Sequence, residues 1–210
     1  MNELDQTLFL WLNLSPLAPA WVFQLARASS QYLPHWLLAA TLAVALTGRP
    51  LWRGQAWRVL ASVALASVAA YLLKRGFDHP RPFALGLGTQ WLPHGASEGF
   101  PSSHASTAMA FAVSACLAPV RWPARLLVLG AALAVSWSRV ALGLHFPSDV
   151  LAAWALGAMA RRPTRAPLAL PAGQPTRLIL SMLVPPGAPM GSPAVMAYTS
   201  PVATTPWSLR

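Results

Sequence analysis

Apolar residues run in long blocks through the first three quarters of this chain, and short polar clusters interrupt them at unequal intervals. The blocks are rich in Ala, Leu and Val and too long for strands, so each reads as a helix. Six are expected, at about residues 17–30, 33–48, 55–73, 104–119, 124–142 and 147–160. The third and fifth are long, apolar and rich in Ala, Leu and Val. The first contains Arg27 and the run Ser29-Ser30-Gln31, and its place among membrane spans rests partly on the overall count. The sixth meets Arg161 about fifteen residues after Phe146, against roughly 20 needed to cross a bilayer. Leu8 to Leu14 is too short to span and reads as an interfacial or capping helix. No internal repeat is visible.

Composition turns this pattern into a membrane assignment. The chain is 55% hydrophobic and only 10% charged, with a mean hydropathy of +0.47, far from the soluble norm of about 25% charged residues. The expected fold is therefore all-α, an integral membrane helical bundle of about six transmembrane helices. The start, Met1-Asn2-Glu3-Leu4-Asp5, is acidic where a signal peptide would be basic. Residues 1–160 are expected to form the membrane domain. From 161 to 210 Pro, Ser, Thr and Gly prevail with no helical period, which predicts a disordered basic tail. The single cysteine, Cys116, excludes a disulfide framework and reads as a core hydrophobe.

The net charge of +10 does not point to nucleic acid, because the cations cap apolar runs instead of forming a basic stripe. Arg49, Arg53 and Arg58, then Arg121 and Arg125, then Arg161, Arg162 and Arg165 fall on one side of a six-span bundle. The positive-inside rule makes that side cytoplasmic. Trp52, Trp57 and Trp122 suit interfacial anchors there, and Trp36 and Trp91 suit the other side.

Three polar clusters share that other side, and ionisable groups at membrane depth are functional candidates. Lys74 and Arg81 are separated by a segment containing Gly76 and Pro80, which permits a chain break and lets both cations fold onto one anion. Taken alone, they read better as a positive helix end meeting lipid headgroups. Pro101-Ser102-Ser103-His104 opens the fourth helix; Ser there is an ordinary cap, yet the same geometry aims backbone N–H groups at an anion. Ser138 and Arg139 end the fifth helix. His145 and Asp149 bracket Pro147 at the start of the sixth, placing a carboxylate beside the imidazole, where it can fix the tautomer. A metal site built from His79, His94, His104, His145, Asp78 and Asp149 is a competing reading, opposed by the absence of an HExxH pattern and by the nearby cations.

Lys74-x6-Arg81-Pro82, Pro101-Ser102-Ser103-His104 and Ser138-Arg139-x5-His145-x3-Asp149 together resemble the three motifs of the type 2 phosphatidic acid phosphatase (PAP2) superfamily, in order and in spacing. The resemblance spans about residues 5–160 and implies a PAP2/haloperoxidase-like bundle. Ser103 stands where the wider family commonly has Gly. By position, the resemblance implies that His145 attacks phosphorus, Asp149 orients it and His104 protonates the leaving oxygen. Lys74, Arg81, Ser102, the Ser103 amide and Arg139 would hold the phosphate. No metal or other cofactor is implied.

The wording around Trp91 to Ser97 and Ser136 to Pro147 is further similar to bacterial undecaprenyl-diphosphate phosphatases of the bacitracin-resistance type. The expected substrate is thus a polyprenyl diphosphate in the bacterial inner membrane, handled at the periplasmic face. Phosphatidylglycerophosphate, phosphatidate and lipid A phosphates are alternatives. The soluble vanadium haloperoxidases share the motifs but not the hydropathy.

Overall fold

The structure is a computed structural model that describes residues 3–95 and 98–160. The expected tail at 161–210, with Arg161, Arg162 and Arg165, and the loop residues Ala96 and Ser97 lie outside the described residues. Seven helices account for most of the remainder, and no strand occurs among the described residues: α1 (Glu3–Leu12), α2 (Ala20–Gln31), α3 (Leu33–Thr47), α4 (Pro50–Lys74), α5 (Ser103–Cys116), α6 (Trp122–Ala141) and α7 (Pro147–Met159). All six expected segments are helical. Proline opens α4 and α7 at the first helical position, where its missing N–H costs nothing.

Among the described residues, only α4 and α6 are long and apolar enough to cross a membrane by themselves. The 15 residues of α3 rise about 22 Å, and α5 and α7 are shorter still, with 14 and 13 residues. The outer surface is nonetheless greasy: Leu38, Leu42, Leu46, Leu65, Val68, Leu72, Leu126, Leu127 and Leu151 are all exposed. An apolar surface on this scale is what lipid would cover.

Helix α5 packs against α4, α6 and α7. It does so with small residues: Ala105, Ser106, Ala110 and Ala112 are fully buried. The contact with α7 is especially close, since a Cβ on Gly157 would lie 2.4 Å from the Ser106 carbonyl oxygen and 2.9 Å from the Ala110 nitrogen. Helices in lipid gain stability from backbone approach of this kind, because apolar side chains gain little by leaving lipid for protein.

The first two helices behave differently from the others. Phe23 in α2 packs on Trp91, and Ala26 on Ala141, Leu142 and Leu144, while Ser30 near the end of α2 bonds Arg139. Both ends of α2 therefore touch the same end of the bundle, the end that carries the polar clusters. The polar run around Ser29 and Ser30 is explained by that contact. α1 caps the same end: Phe9 is fully buried against Phe146, and the Asp5 carboxylate accepts from the Ser148 N–H (3.0 Å) and hydroxyl (2.5 Å) at the start of α7. Trp91, expected as an interfacial anchor, is half-buried and donates its indole N–H to the Leu14 carbonyl (2.9 Å).

Candidate active site

The turn between α6 and α7 sets the register of the site. The Leu144 N–H donates to the Arg139 carbonyl (3.0 Å) and the Gly143 N–H to the Val140 carbonyl (3.0 Å), the paired bonds of a Schellman cap. Gly143 has φ +76°, and a Cβ there would sit 2.2 Å from the Thr89 carbonyl oxygen, so only glycine fits. The Arg139 carbonyl also accepts from the His145 N–H (3.2 Å). One helix ending therefore ties Arg139 and His145 to each other. Asn13 secures the outside of this turn by donating to the Thr89 and Ala141 carbonyls.

Asp149 lies in the first turn of α7 and is completely buried. Its Oδ2 accepts from the Phe146 backbone N–H (2.9 Å), as a first-turn carboxylate does at a helix start, and faces His145 Nδ1 at 3.3 Å. Its other oxygen, Oδ1, is 3.5 Å from His79 Nε2. The Asp149 carbonyl accepts from the Ser102 N–H (3.2 Å), which joins the start of α5 to the start of α7.

On the far side of the imidazole, Arg81 Nη1 lies 3.1 Å from His145 Nε2. A guanidinium can only donate, so Nε2 presents its lone pair and Nδ1 carries the proton toward Asp149. Burial, with the charges of Arg139, Arg81 and Lys74 beside it, holds the His145 pKa well below the ordinary histidine range. The ring is thereby held in its neutral form, with the Nε2 lone pair turned toward Arg81.

Backbone carbonyls position the cations. Arg81 also donates to Leu144 O (3.0 Å) and Glu98 O (3.2 Å), while Lys74 donates to Glu98 O (2.9 Å) and Gly99 O (3.2 Å). Arg139 Nη1 donates to the Ser30 hydroxyl (2.5 Å), and its Nε is buried without a partner. Arg81 and Arg139 are each 3% exposed. Ser102 precedes α5 but makes no side-chain cap bond; its hydroxyl is buried and unpartnered. The capping explanation for Ser102 therefore fails. Ser103, where α5 begins, offers a backbone N–H free of the helical ladder. His104 follows it, half-buried, with no ring hydrogen bond among the described residues.

Two unpartnered buried donors, free N–H groups at a helix start and three cations around an imidazole form a cluster whose chemistry suits a tetrahedral oxyanion. Lys74, Arg81, Ser102, Arg139, His145 and Asp149 are joined by this network, and Ser103 and His104 stand at its α5 edge. Ser138 does not take part; its hydroxyl donates to the Val135 carbonyl of its own helix (2.6 Å). Among the described residues, no group of three His, Cys, Asp or Glu could hold a metal ion.

The PAP2 superfamily profile matches residues 55–163, just over half of the chain. The chain belongs to the PAP2 superfamily. It is 28% identical over 151 residues to the "Putative undecaprenyl-diphosphatase YbjG" of Escherichia coli strain K12, covering 72% of this chain and 76% of that one. A lipid A 1-phosphatase of Rhizobium etli is 34% identical over 101 residues, or 46% of this chain and 43% of that one. The crystal structure of Aquifex aeolicus LpxE superposes with a TM-score of 0.61 at 22% identity, covering 76% of this chain and 93% of that chain. Within the PAP2 superfamily the chain is a phosphatase, a phosphoric ester hydrolase associated with the membrane.

Sequence reasoning passed over Ser30, and it considered His79 only as a metal ligand. His79 carried a usable signal, since it lies within the segment joining Lys74 to Arg81. Ser30 carried none, being 109 positions from Arg139.

Proposed function

We propose that this protein hydrolyses a polyprenyl diphosphate, of the undecaprenyl class, to the monophosphate at the periplasmic face of the bacterial inner membrane. The observation that carries the chemistry is the His145 Nε2 lone pair held between Asp149 and Arg81. His145 Nε2 attacks the terminal phosphorus as the bond to the bridging oxygen breaks. His104 delivers its proton to that oxygen, releasing the lipid monophosphate. Lys74, Arg81, Arg139, Ser102 and the Ser103 amide stabilise the charge on the equatorial oxygens. Water then cleaves the phosphohistidine, giving up a proton to His104 and freeing inorganic phosphate.

A lipid tail is supported by a cavity of about 410 Å³ walled by Leu37, Leu38, Leu60, Val63, Phe111 and Val135. Thr107 and Ala108, which also line it, lie one helical turn beyond His104. The similarity to YbjG favours the diphosphate, and the similarity to a lipid A 1-phosphatase favours a sugar-linked lipid phosphate as the second reading.

Phosphate release by purified protein from undecaprenyl diphosphate, phosphatidylglycerophosphate, phosphatidate and lipid A separates these readings. The diphosphate is expected to give the highest kcat/KM, and a preference for any other lipid overturns the substrate assignment. The His145→Ala protein is expected to lose at least about 10³-fold in kcat. Near-normal turnover by that variant removes His145 as the nucleophile.

A further inference from the structure

We infer that His79 is a positioning residue for the nucleophile, acting through the second oxygen of Asp149. This rests on the reading of His145 as the attacking group. Asp149 Oδ2 is already occupied by the Phe146 N–H and His145 Nδ1, whereas Oδ1 is buried and accepts no hydrogen bond. His79 Nε2 is likewise a buried atom without a hydrogen-bond partner, and the two lie 3.5 Å apart. A donor and an acceptor that are both shut off from water and have no other partner pair with each other through a small shift of either side chain.

The surroundings hold the His79 ring in that pose. It meets Phe100 and Phe146 edge to face, at centroid distances of 5.9 and 6.1 Å. Its backbone carbonyl accepts from the Gly99 N–H at 2.7 Å, and Pro80 restricts its backbone to extended conformations. Gly99 comes so close that a Cβ there would lie 3.1 Å from the His79 carbonyl oxygen and 3.4 Å from Asp149 Oδ2. Both oxygens of the carboxylate are then clamped, one by each histidine. A carboxylate free to rotate would let His145 turn its lone pair away from the phosphate cradle. The clamp joins the Lys74–Arg81 segment to the start of α7, so the residues that bind phosphate and the one that attacks it are kept in register.

The test compares kcat, KM and vanadate inhibition for purified variants acting on farnesyl diphosphate in detergent micelles. His79→Phe retains the aromatic contacts but has no N–H to donate. Its kcat is expected to fall about 10- to 100-fold, the usual cost of removing an outer partner of an oriented histidine. KM and the vanadate inhibition constant are expected to stay within about 3-fold, because His79 does not touch phosphate. His79→Gln, whose amide can reach Oδ1, is expected to restore kcat to within about 3-fold of the parent. In an Asp149→Asn background His79→Phe is expected to cost nothing further, since the two changes break one chain of bonds. If His79→Phe fails to accumulate, His79→Asn, too short to reach Oδ1, replaces it.

Parental kcat in the Phe or Asn variant overturns the inference. So does a full additional loss in the Asp149→Asn background, or an equal loss for Gln and Phe accompanied by a lower melting midpoint. Turnover by His145→Ala, assayed in parallel, instead overturns the mechanism on which the inference rests.

Discussion

At the site end of the bundle Arg81 and Arg139 are 3% exposed and bonded to carbonyls, a hydroxyl and an imidazole, whereas at the opposite end Arg49, Arg53, Arg58, Arg121 and Arg125 stand exposed. The same side chain meets opposite treatment within one small protein. Burying a guanidinium removes its water, and the loss is tolerable only where fixed acceptors replace that water. The site end supplies them through the Leu144 and Glu98 carbonyls and Ser30. The other end supplies almost none: Arg58 reaches only the Gln55 side chain, at 3.4 Å. Exposed arginines record which way the chain sits in a membrane, and buried ones record where an anion is handled. Between the ends, the bundle holds together through alanine, serine and glycine contacts with little charge at all.

The largest test of this contrast is Arg139→Ala. Arg139 has a buried Nε with no partner, which is open to a phosphate oxygen. Its removal is expected to lower kcat by about 10²- to 10³-fold, the scale of losing one preorganised donor to a transition-state oxyanion. Vanadate mimics the five-coordinate transition state, so the parent is expected to be inhibited competitively with lipid and Arg139→Ala to lose that sensitivity. Activity of the parent is expected to survive excess EDTA. Abolition by EDTA and recovery with a divalent metal would contradict a site built from cations alone.

A smaller effect is expected in the middle of the bundle. Gly157→Ala forces α7 away from Ser106 and Ala110, a strain of about 1–3 kcal/mol. The melting midpoint in detergent is expected to drop while kcat per folded molecule holds. An unchanged midpoint would mean that α5 and α7 have slack the geometry does not show.

The mildest changes address the ends themselves. Gly95→Cys, in the exposed loop at the site end, is expected to react with an impermeant thiol reagent in intact cells. Ala124→Cys, beside Arg125, is expected to react only after the membrane is opened. Both positions are exposed, so neither substitution disturbs packing. The reverse labelling pattern would move the site to the cytoplasmic face.

All six helical segments were legible in the sequence because apolar blocks act over a few residues. The α6–α7 turn was legible for the same reason: Arg139, Gly143, His145 and Asp149 are spaced by one helix ending and one helix start, and local hydrogen bonds alone determine how they face each other. The place of α2 was not legible. Its composition resembles a weak span, and only its contacts with Trp91 and Arg139 put both its ends at the site. Tertiary structure also decided that Trp91 bonds the Leu14 carbonyl, that Ser102 keeps its hydroxyl unspent, and that Asp5 and Ser30 serve elements more than 100 positions away. It alone brought His79 to Asp149. Short-range spacing can specify a helix end and the residues on it, whereas a partner reached across the bundle depends on how whole helices pack, and that is a property of many weak contacts together.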